Sequence, residues 1–389
     1  MRQARRYIFI YFLLFFSLLW ESASPAGNRS SPNPVKGLWV VRYNLTTASK
    51  IDTLLDLAHD CGITDLFVQV RGRGDAYYHS NYEPRAEEIP DPNFDPLEYI
   101  LAKTLGDSLR IHAWLNVFYI WSKDTLPKDT NHIVHKQKHW LARPVHQSRG
   151  AEKNPKSVKD ERIEGIYVSP LQSEAQDHFI NIVSDIIEKY GVAGIHLDYI
   201  RYPDQRFDIH PDVVQGFKNR YVLNPEQFLI DPDLFAQKYS LAGYEVFYYH
   251  WRKYLLDGLS DFVRRISNTS QAASKHLLLS AAVKPSIVSA HWNYYQDWDR
   301  WIKEDWLDFV VPMNYSPDED TFRQNNDQYR ELLPLDKYLV GIALYNQSED
   351  QVMQKITQVI ATKNLGFVLF SYDQLKKMNK LERYLKNKL

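Results

Sequence analysis

Hydrophobic positions along the chain fall into short apolar runs that alternate with longer stretches of helical periodicity. Runs at 38–42, 65–70, 111–117, 193–199, 277–283, 308–313, 338–344 and 366–370 have the length and apolar density of buried strands. Between them lie helix signals. Ser173-Glu174-Ala175-Gln176 reads as a capping box, followed by Phe179, Ile182, Val183, Ile186, Ile187 and Tyr190 on one face, and Gly191 ends the helix. Asp95-Pro96 opens another helix with Leu97, Ile100 and Leu101 inward, and Ser348 to Gln351 opens a third with Val352, Ile356, Val359 and Ile360. A strand, a capped helix and a next strand make a parallel crossover unit. Eight such strands predict an α/β fold, a (β/α)8 TIM barrel, with long loops after strands 3 and 4 at 121–166 and 202–236.

Strand side chains alternate between faces, so polar residues can be sorted by parity. In GIHLDYIRYP, from Gly194, His196 and Asp198 share the inward face, while Ile195, Leu197 and Tyr199 face the helices. The same sorting brings Arg42 to the end of strand 1, Gln69 and Arg71 to strand 2, and His112, Trp114 and Asn116 along strand 3. Lys284 ends strand 5, Asn314 ends strand 6, and Ser371 with Asp373 ends strand 8. Buried polar groups are costly without partners. Their recurrence at carboxyl ends of strands scattered over the chain is the arrangement of a barrel active site. Asp198 is the first catalytic candidate; its alternative is a structural carboxylate paired with Arg201 or Lys284. Arg201 lies past the strand, on the rim. His112 and His196 sit deeper and read as interior histidines or sugar hydrogen-bonders, although with Asp198 they are also the ligand set that a metal-dependent hydrolase would use. The loop-borne Trp140 and Trp292 are candidate stacking platforms.

Composition narrows the function classes. Lys and Arg number 47 against 48 Asp and Glu, so there is no basic stripe for nucleic acid. Aromatic residues make up 14%, with 10 Trp and 26 Tyr, which suits both core packing and the flat faces that sugars stack on. No P-loop, dinucleotide fingerprint, HExxH or GxSxG is present. Acid/base chemistry by carboxylates remains, and no cofactor is called for.

Arg2, Arg5 and Arg6 precede the apolar run YIFIYFLLFFSLLW, and Ser24-Pro25-Ala26 follows as a cleavage site. Residues 1–26 therefore read as a signal peptide, 27–36 as a linker, 37–375 as the barrel and 376–389 as a charged, solvated helical tail. The expected location is periplasmic or extracellular, with no stable membrane span after cleavage and no lipid-anchor cysteine. Cys61 is the only cysteine, so no internal disulfide holds the core. The oligomeric state is left open.

Several segments together resemble the glycosyl hydrolase-like family 10: GLWVVRYN, FVQVRGRGDAYYHS, IHAWLNVF, the stretch VSPLQSEAQDHFINIVSDIIEKYGVAGIHLDYIRYP, LSAAVKP, QDWDRWIKEDWLDFVVPMNYSPD and GFVLFSYDQL. The resemblance implies an exported glycosidase barrel acting on a carbohydrate polymer, peptidoglycan glycan strands or another extracellular polysaccharide. It puts Asp198 where related barrels keep a catalytic carboxylate, and Asp75 and Asp297 match acidic positions of the family pattern. Asp198 is then expected as nucleophile or base, with Asp75, Asp297 or Asp373 as proton donor. Arg42, Gln69, Arg71, His112, Trp114, Asn116, His196, Arg201, Lys284, Asn314, Tyr315 and Asp373 are the residues expected around the substrate. Many relatives carry two consecutive acids on strand 4, whereas Tyr199 follows Asp198 here, which leaves the second carboxylate open. A non-catalytic glycan-binding barrel is the competing class.

Overall fold

A computed structural model describes residues 34–145, 164–273 and 277–388. The predicted signal peptide and residues 27–33 of the linker lie outside the described residues. Eight strands form one parallel sheet: β1 (Val35–Val40), β2 (Asp65–Arg71), β3 (Arg110–Asn116), β4 (Gly194–Asp198), β5 (Leu278–Val283), β6 (Phe309–Pro312), β7 (Val340–Ala343) and β8 (Gly366–Phe370). Their order around the sheet is β6-β5-β4-β3-β2-β1-β8-β7. The seam between β6 and β7 is joined by Leu339 N donating to Val310 O at 3.0 Å and by a bridge between Met313 and Gly341. A Cβ at Gly341 would lie 2.9 Å from the Pro312 carbonyl oxygen, so the strands approach there only because the residue has no side chain. All eight predicted strands are present and the barrel is the predicted one.

Each strand leads to a helix on the outside: α1 (Ala48–Asp60), α2 (Pro96–Lys103), α3 (Ser173–Lys189), α4 (Leu241–Ala273), α5 (Trp298–Lys303), α6 (Glu319–Leu332), α7 (Glu349–Ala361) and α8 (Asn379–Lys388). Burying Phe179, Ile182, Val183 and Ile186 of α3 against the strands contributes roughly 1.5–3 kcal/mol per side chain, which outweighs the cost of ordering them. The cap of α3 is Gln172 rather than Ser173, because the longer amide side chain reaches Ala175 N at 2.7 Å. Asp95 caps α2 through Leu97 N and Glu98 N, and the Ser348–Gln351 capping box forms as predicted.

Two boundaries differ from the sequence reading. Val35 and Lys36, read as linker, open β1, since Val35 N donates to Leu365 O at 2.7 Å and pairs the strand with β8. The tail is not merely solvated: Leu381 and Leu385 of α8 are buried, and Leu381 N donates to Glu349 Oε2 at 2.7 Å. Leu381 and Leu385 stand four apart, so one apolar stripe docks while the lysines stay in water. Among the described residues no helix is long and apolar enough to cross a membrane.

Inside the barrel, Trp39, Phe67, Trp114, Ala282, Phe309, Val311, Leu339 and Val368 form a packed cluster. This plug fills the barrel below a cavity at the carboxyl ends of the strands.

Candidate active site

The space above the plug is a cavity of about 480 Å³. Asp198, the last residue of β4, lines it; Oδ1 accepts from Tyr199 N at 2.7 Å and Oδ2 from Trp114 Nε1 at 3.2 Å. Burial pushes this carboxyl up to about 6, against the opposing pull of those two donors and of the Arg201 and Lys284 charges. A line of hydrogen bonds fixes its surroundings. Arg42 Nη1 donates to Gln69 Oε1 at 2.8 Å, Gln69 Nε2 to Asn116 Oδ1 at 3.3 Å, and Trp114 Nε1 is shared between Asn116 Oδ1 and Asp198. Every member sits on the inward parity of β1, β2 or β3, or just past a strand end.

Immediately after Asp198 the backbone turns. Tyr199 has φ of 51°, a left-handed conformation that ends the strand alternation. Its ring therefore lines the cavity instead of facing the helices as parity predicted, and stacks on Tyr119 with centroids 4.6 Å apart. Arg201 lies under that ring at 4.7 Å and donates from Nη2 to Glu164 Oε1 at 3.0 Å. Glu164 also accepts from Tyr167 OH at 3.0 Å and lines the same cavity. Burial would raise its carboxyl, but Arg201 together with the hydrogen bonds outweighs this and holds it below the usual range. Lys284, lowered to about 8 by burial and by Arg201, completes the charged wall, with Nζ 4.3 Å from the Tyr294 ring. The opposite wall is aromatic: Tyr315 stacks on Phe370 at 5.5 Å and meets Trp39 and Tyr345 edge-on.

Of the residues expected from sequence, Arg42, Gln69, Trp114, Asn116, Asp198, Arg201, Lys284 and Tyr315 line this one cavity. His196 and His112 do not. His196 is fully buried in the plug, between Trp39 Nε1 at 3.2 Å and Ser280 Oγ at 2.9 Å. His112 pairs with Asp65 at 2.8 Å at the amino-terminal end of the barrel and stacks on Phe67. The metal set of His112, His196 and Asp198 therefore does not converge. Among the described residues the grouping with ligand atoms close enough for a cation is His291, Asp297 and Asp299. There the carboxylates already meet positive groups: the imidazole at 3.1 and 2.9 Å, Arg300 at 3.7 Å from Asp297 and Lys303 at 2.8 Å from Asp299.

Arg71 and Asn314 are turned into the scaffold. A register shift between Gln69 and Arg71 breaks the alternation, and Arg71 pairs bidentately with Glu83 at 2.8 and 2.6 Å. Asn314 donates to Phe322 O and Asn326 Oδ1, tying β6 to α6. The three acids considered as partners for Asp198 lie elsewhere. Asp75 closes its own turn by accepting from Arg73 N at 2.8 Å and lines a separate small pocket; Asp297 belongs to the His291 cluster; Asp373 pairs with Lys376 and Asn44. Trp140 is buried with Nε1 on Glu174, whereas Trp292 is exposed. Among the described residues, the carboxylate that does share the cavity is Glu164. No local pattern marks it, because it enters from the far end of the long connection after β3.

The family model described as Glycosyl hydrolase-like 10 matches residues 34–346. Glycosyl hydrolase YngK of Bacillus subtilis (strain 168) is 24% identical over 286 residues, covering 67% of this chain and 48% of that protein. The chain thus spans about half the length of that relative. Glycosyl hydrolase DigH of Escherichia coli (strain K12) is 21% identical over 349 residues, covering 76% of this chain and 69% of DigH. Among solved structures, the PgaB (BpsB) glycoside hydrolase domain from Bordetella bronchiseptica superposes with a TM-score of 0.65 at 13% identity, covering 90% of this chain and 98% of that one, a likeness of fold.

Proposed function

The chain belongs to the glycosyl hydrolase-like 10 family, and from that premise we propose that its cavity hydrolyses O-glycosidic bonds of an extracellular polysaccharide, with peptidoglycan glycan strands the first substrate to test. One observation carries the reading: two carboxylates in one aromatic-lined cavity are pushed in opposite directions, Asp198 up by burial and Glu164 down by Arg201. Environments that separate two carboxyl groups in this way divide the acid from the base. Asp198 donates its proton to the glycosidic oxygen as the bond to the anomeric carbon breaks. Glu164, ionised, either takes a proton from the attacking water or bonds the anomeric carbon itself. The anomeric configuration of the first product, read by NMR, separates these two. Trp114 and the Tyr199 amide hold the Asp198 carboxyl in place, and the exposed Tyr345 ring with the half-buried Tyr315 beside it is the stacking surface for sugar rings.

The roles set a pH profile. The acid must be protonated, so kcat/KM falls as pH rises through about 6, by about tenfold per unit beyond it. The base must be ionised, so the acid-side fall lies below the ordinary glutamate range. An acidic optimum is expected, and a rate that stays flat between pH 5 and 8 would remove the assignment of Asp198 as donor.

Glu164→Gln keeps one acceptor oxygen, for Arg201 or for Tyr167, but no charge. Its kcat is expected to fall about 10²- to 10⁴-fold, with the acid-side limb of the profile lost. A residue that only positioned Arg201 would leave that limb in place. Purified protein that binds glycan strands yet releases no new reducing ends at any pH would instead be the non-catalytic glycan-binding barrel.

A further inference from the structure

A second groove lies beside the mouth of the barrel, between the amino-terminal half of α4 and the short helix Ile287–Tyr294, with a volume of about 450 Å³. We propose that this groove is a distal glycan-binding site, in which Trp292 and Tyr249 stack sugar units of the same polymer that enters the cavity. The identity of the polymer rests on the glycosidase reading above; the groove itself rests on separate observations.

Trp292 is 56% exposed and Tyr249 61%, whereas every other described tryptophan is buried or half-buried. Exposing an indole gives up about 1.5–3 kcal/mol of burial, a loss that a ligand covering the ring restores. The ring is also held in place from behind. The Arg252 guanidinium sits 4.2 Å from its centroid, and Nη2 donates to the carbonyls of His291 and Trp292 at 3.0 and 2.7 Å. One face of the indole is thus occupied by a buried cation and the other is free to receive a flat apolar surface. Arg252 is itself only 9% exposed, yet its Nη1 makes no hydrogen bond within the protein. That nitrogen is shielded from the groove, with the guanidinium held among the rings of Tyr248, Trp292 and Tyr295, so Arg252 supports the indole from behind and does not serve as a donor to the ligand. Glu245 and Lys253 line the groove as further polar groups. A hydroxylated ring with an apolar C–H face fits this mixture of flat aromatic and charged groups better than a lipid chain does.

Continuity with the cavity argues for the same polymer. Helices run antiparallel to the strands, so the amino-terminal half of α4 lies at the carboxyl end of the barrel. Tyr294, two residues beyond Trp292, carries Lys284 at 4.3 Å and Arg201 at 5.0 Å on its ring, and both cations line the cavity. Tyr202 N, just after Arg201, donates to Tyr294 O at 3.2 Å. The short helix thus backs the cations of the cavity through Tyr294 and lines the groove through Trp292, which places the two sites on either side of one helix. The groove volume is within the range of about 300–1,000 Å³ usual for ligand sites.

The test uses the full-length protein with two probes: peptide-free peptidoglycan glycan strands and a tetrasaccharide cut from them. In an Asp198→Asn background, adding Trp292→Ala is expected to lower the strand-to-tetrasaccharide affinity ratio about tenfold, the order of one lost stacking contact. Tyr249→Ala, whose ring projects from an exposed helix turn, should move the ratio the same way and covers the case in which Trp292→Ala unfolds the loop. An unchanged ratio overturns the proposal, as does a sedimentation shift from dimer to monomer with glycan affinity intact, which would make a second copy of the chain the occupant. With Asp198 intact, cleavage of the tetrasaccharide without tighter strand binding would sink the groove and spare the cavity; strand binding through Trp292 without cleavage of either probe would do the reverse.

Discussion

Asp198→Asn is expected to lower kcat on glycan by about 10²- to 10⁴-fold, the range for loss of one acid/base group, while leaving binding and thermal stability near those of the parent. The stability expectation follows from the donors around it. An Asn side chain keeps one acceptor oxygen for the Tyr199 amide, and Trp114 Nε1 retains Asn116 Oδ1 at 3.1 Å when the second acceptor is lost. The charge balance changes in a readable way: Asp198 helps raise Lys284, so its removal should drop the Lys284 amine further below about 8. Product analysis by chromatography against the parent enzyme decides the matter. Turnover within tenfold of the parent would mean that Asp198 is a structural counter-ion to Arg201 and Lys284 and that the proton comes from another group.

The largest effect on stability is expected at Arg71, which the sequence reading put around the substrate, and at its partner Glu83. Arg71 and Glu83 are both buried, paired through two hydrogen bonds, and Arg71 also donates to the carbonyls of Asn116 and Val117 at the end of β3. Burial alone would raise the Glu83 carboxyl, but Arg71 and His178 bring it down to about 2. Arg71→Met leaves that carboxylate buried without its partner, which costs roughly 3–5 kcal/mol. The double variant Arg71→Met with Glu83→Leu should recover most of the loss, because no unpaired charge remains. Urea unfolding of the three proteins checks this, and an Arg71→Met variant within 1 kcal/mol of the parent, read against the ~1 kcal/mol of a weak surface pair, would place the ion pair in solvent instead. The pH sign is also set. Glu83 is depressed in the folded state, so its contribution is complete above the unfolded carboxylate value and is lost as pH falls through about 2.

Much of the barrel was legible because its signals are local. Each strand is a short apolar run, and α2, α3 and α7 carry a cap and a 3.6-residue stripe, so the eight units could be counted without knowing their contacts. Parity inside a strand was equally reliable: Gln69, Trp114, Asn116 and Asp198 all face inward and meet at the mouth. It failed where the backbone stops alternating. Tyr199 is turned by its left-handed φ, and Arg71 follows a register shift. His112 and His196 do face inward, but parity says nothing of depth, and both lie in the plug below the cavity.

Acidic residues near strand ends were the least legible. Asp75 and Asp373 stand a few residues past a strand and Asp297 just before α5, and each is taken up by a neighbour that only the folded chain supplies: an amide two residues back, Asn44 from the far end of the chain, and an imidazole on the preceding helix. Glu164 is far from any barrel strand in sequence and arrives through a two-stranded ribbon of Tyr119–Trp121 with Ile166–Tyr167. The sequence by itself determined the barrel, the inward acid at the end of β4 and the family, since these depend on periodicity and on motifs that lie along the chain. Only the tertiary structure decided which second carboxylate and which cations share its cavity, because the electrostatics of a buried group depend on distances through space, and loops bring those about without leaving a local pattern.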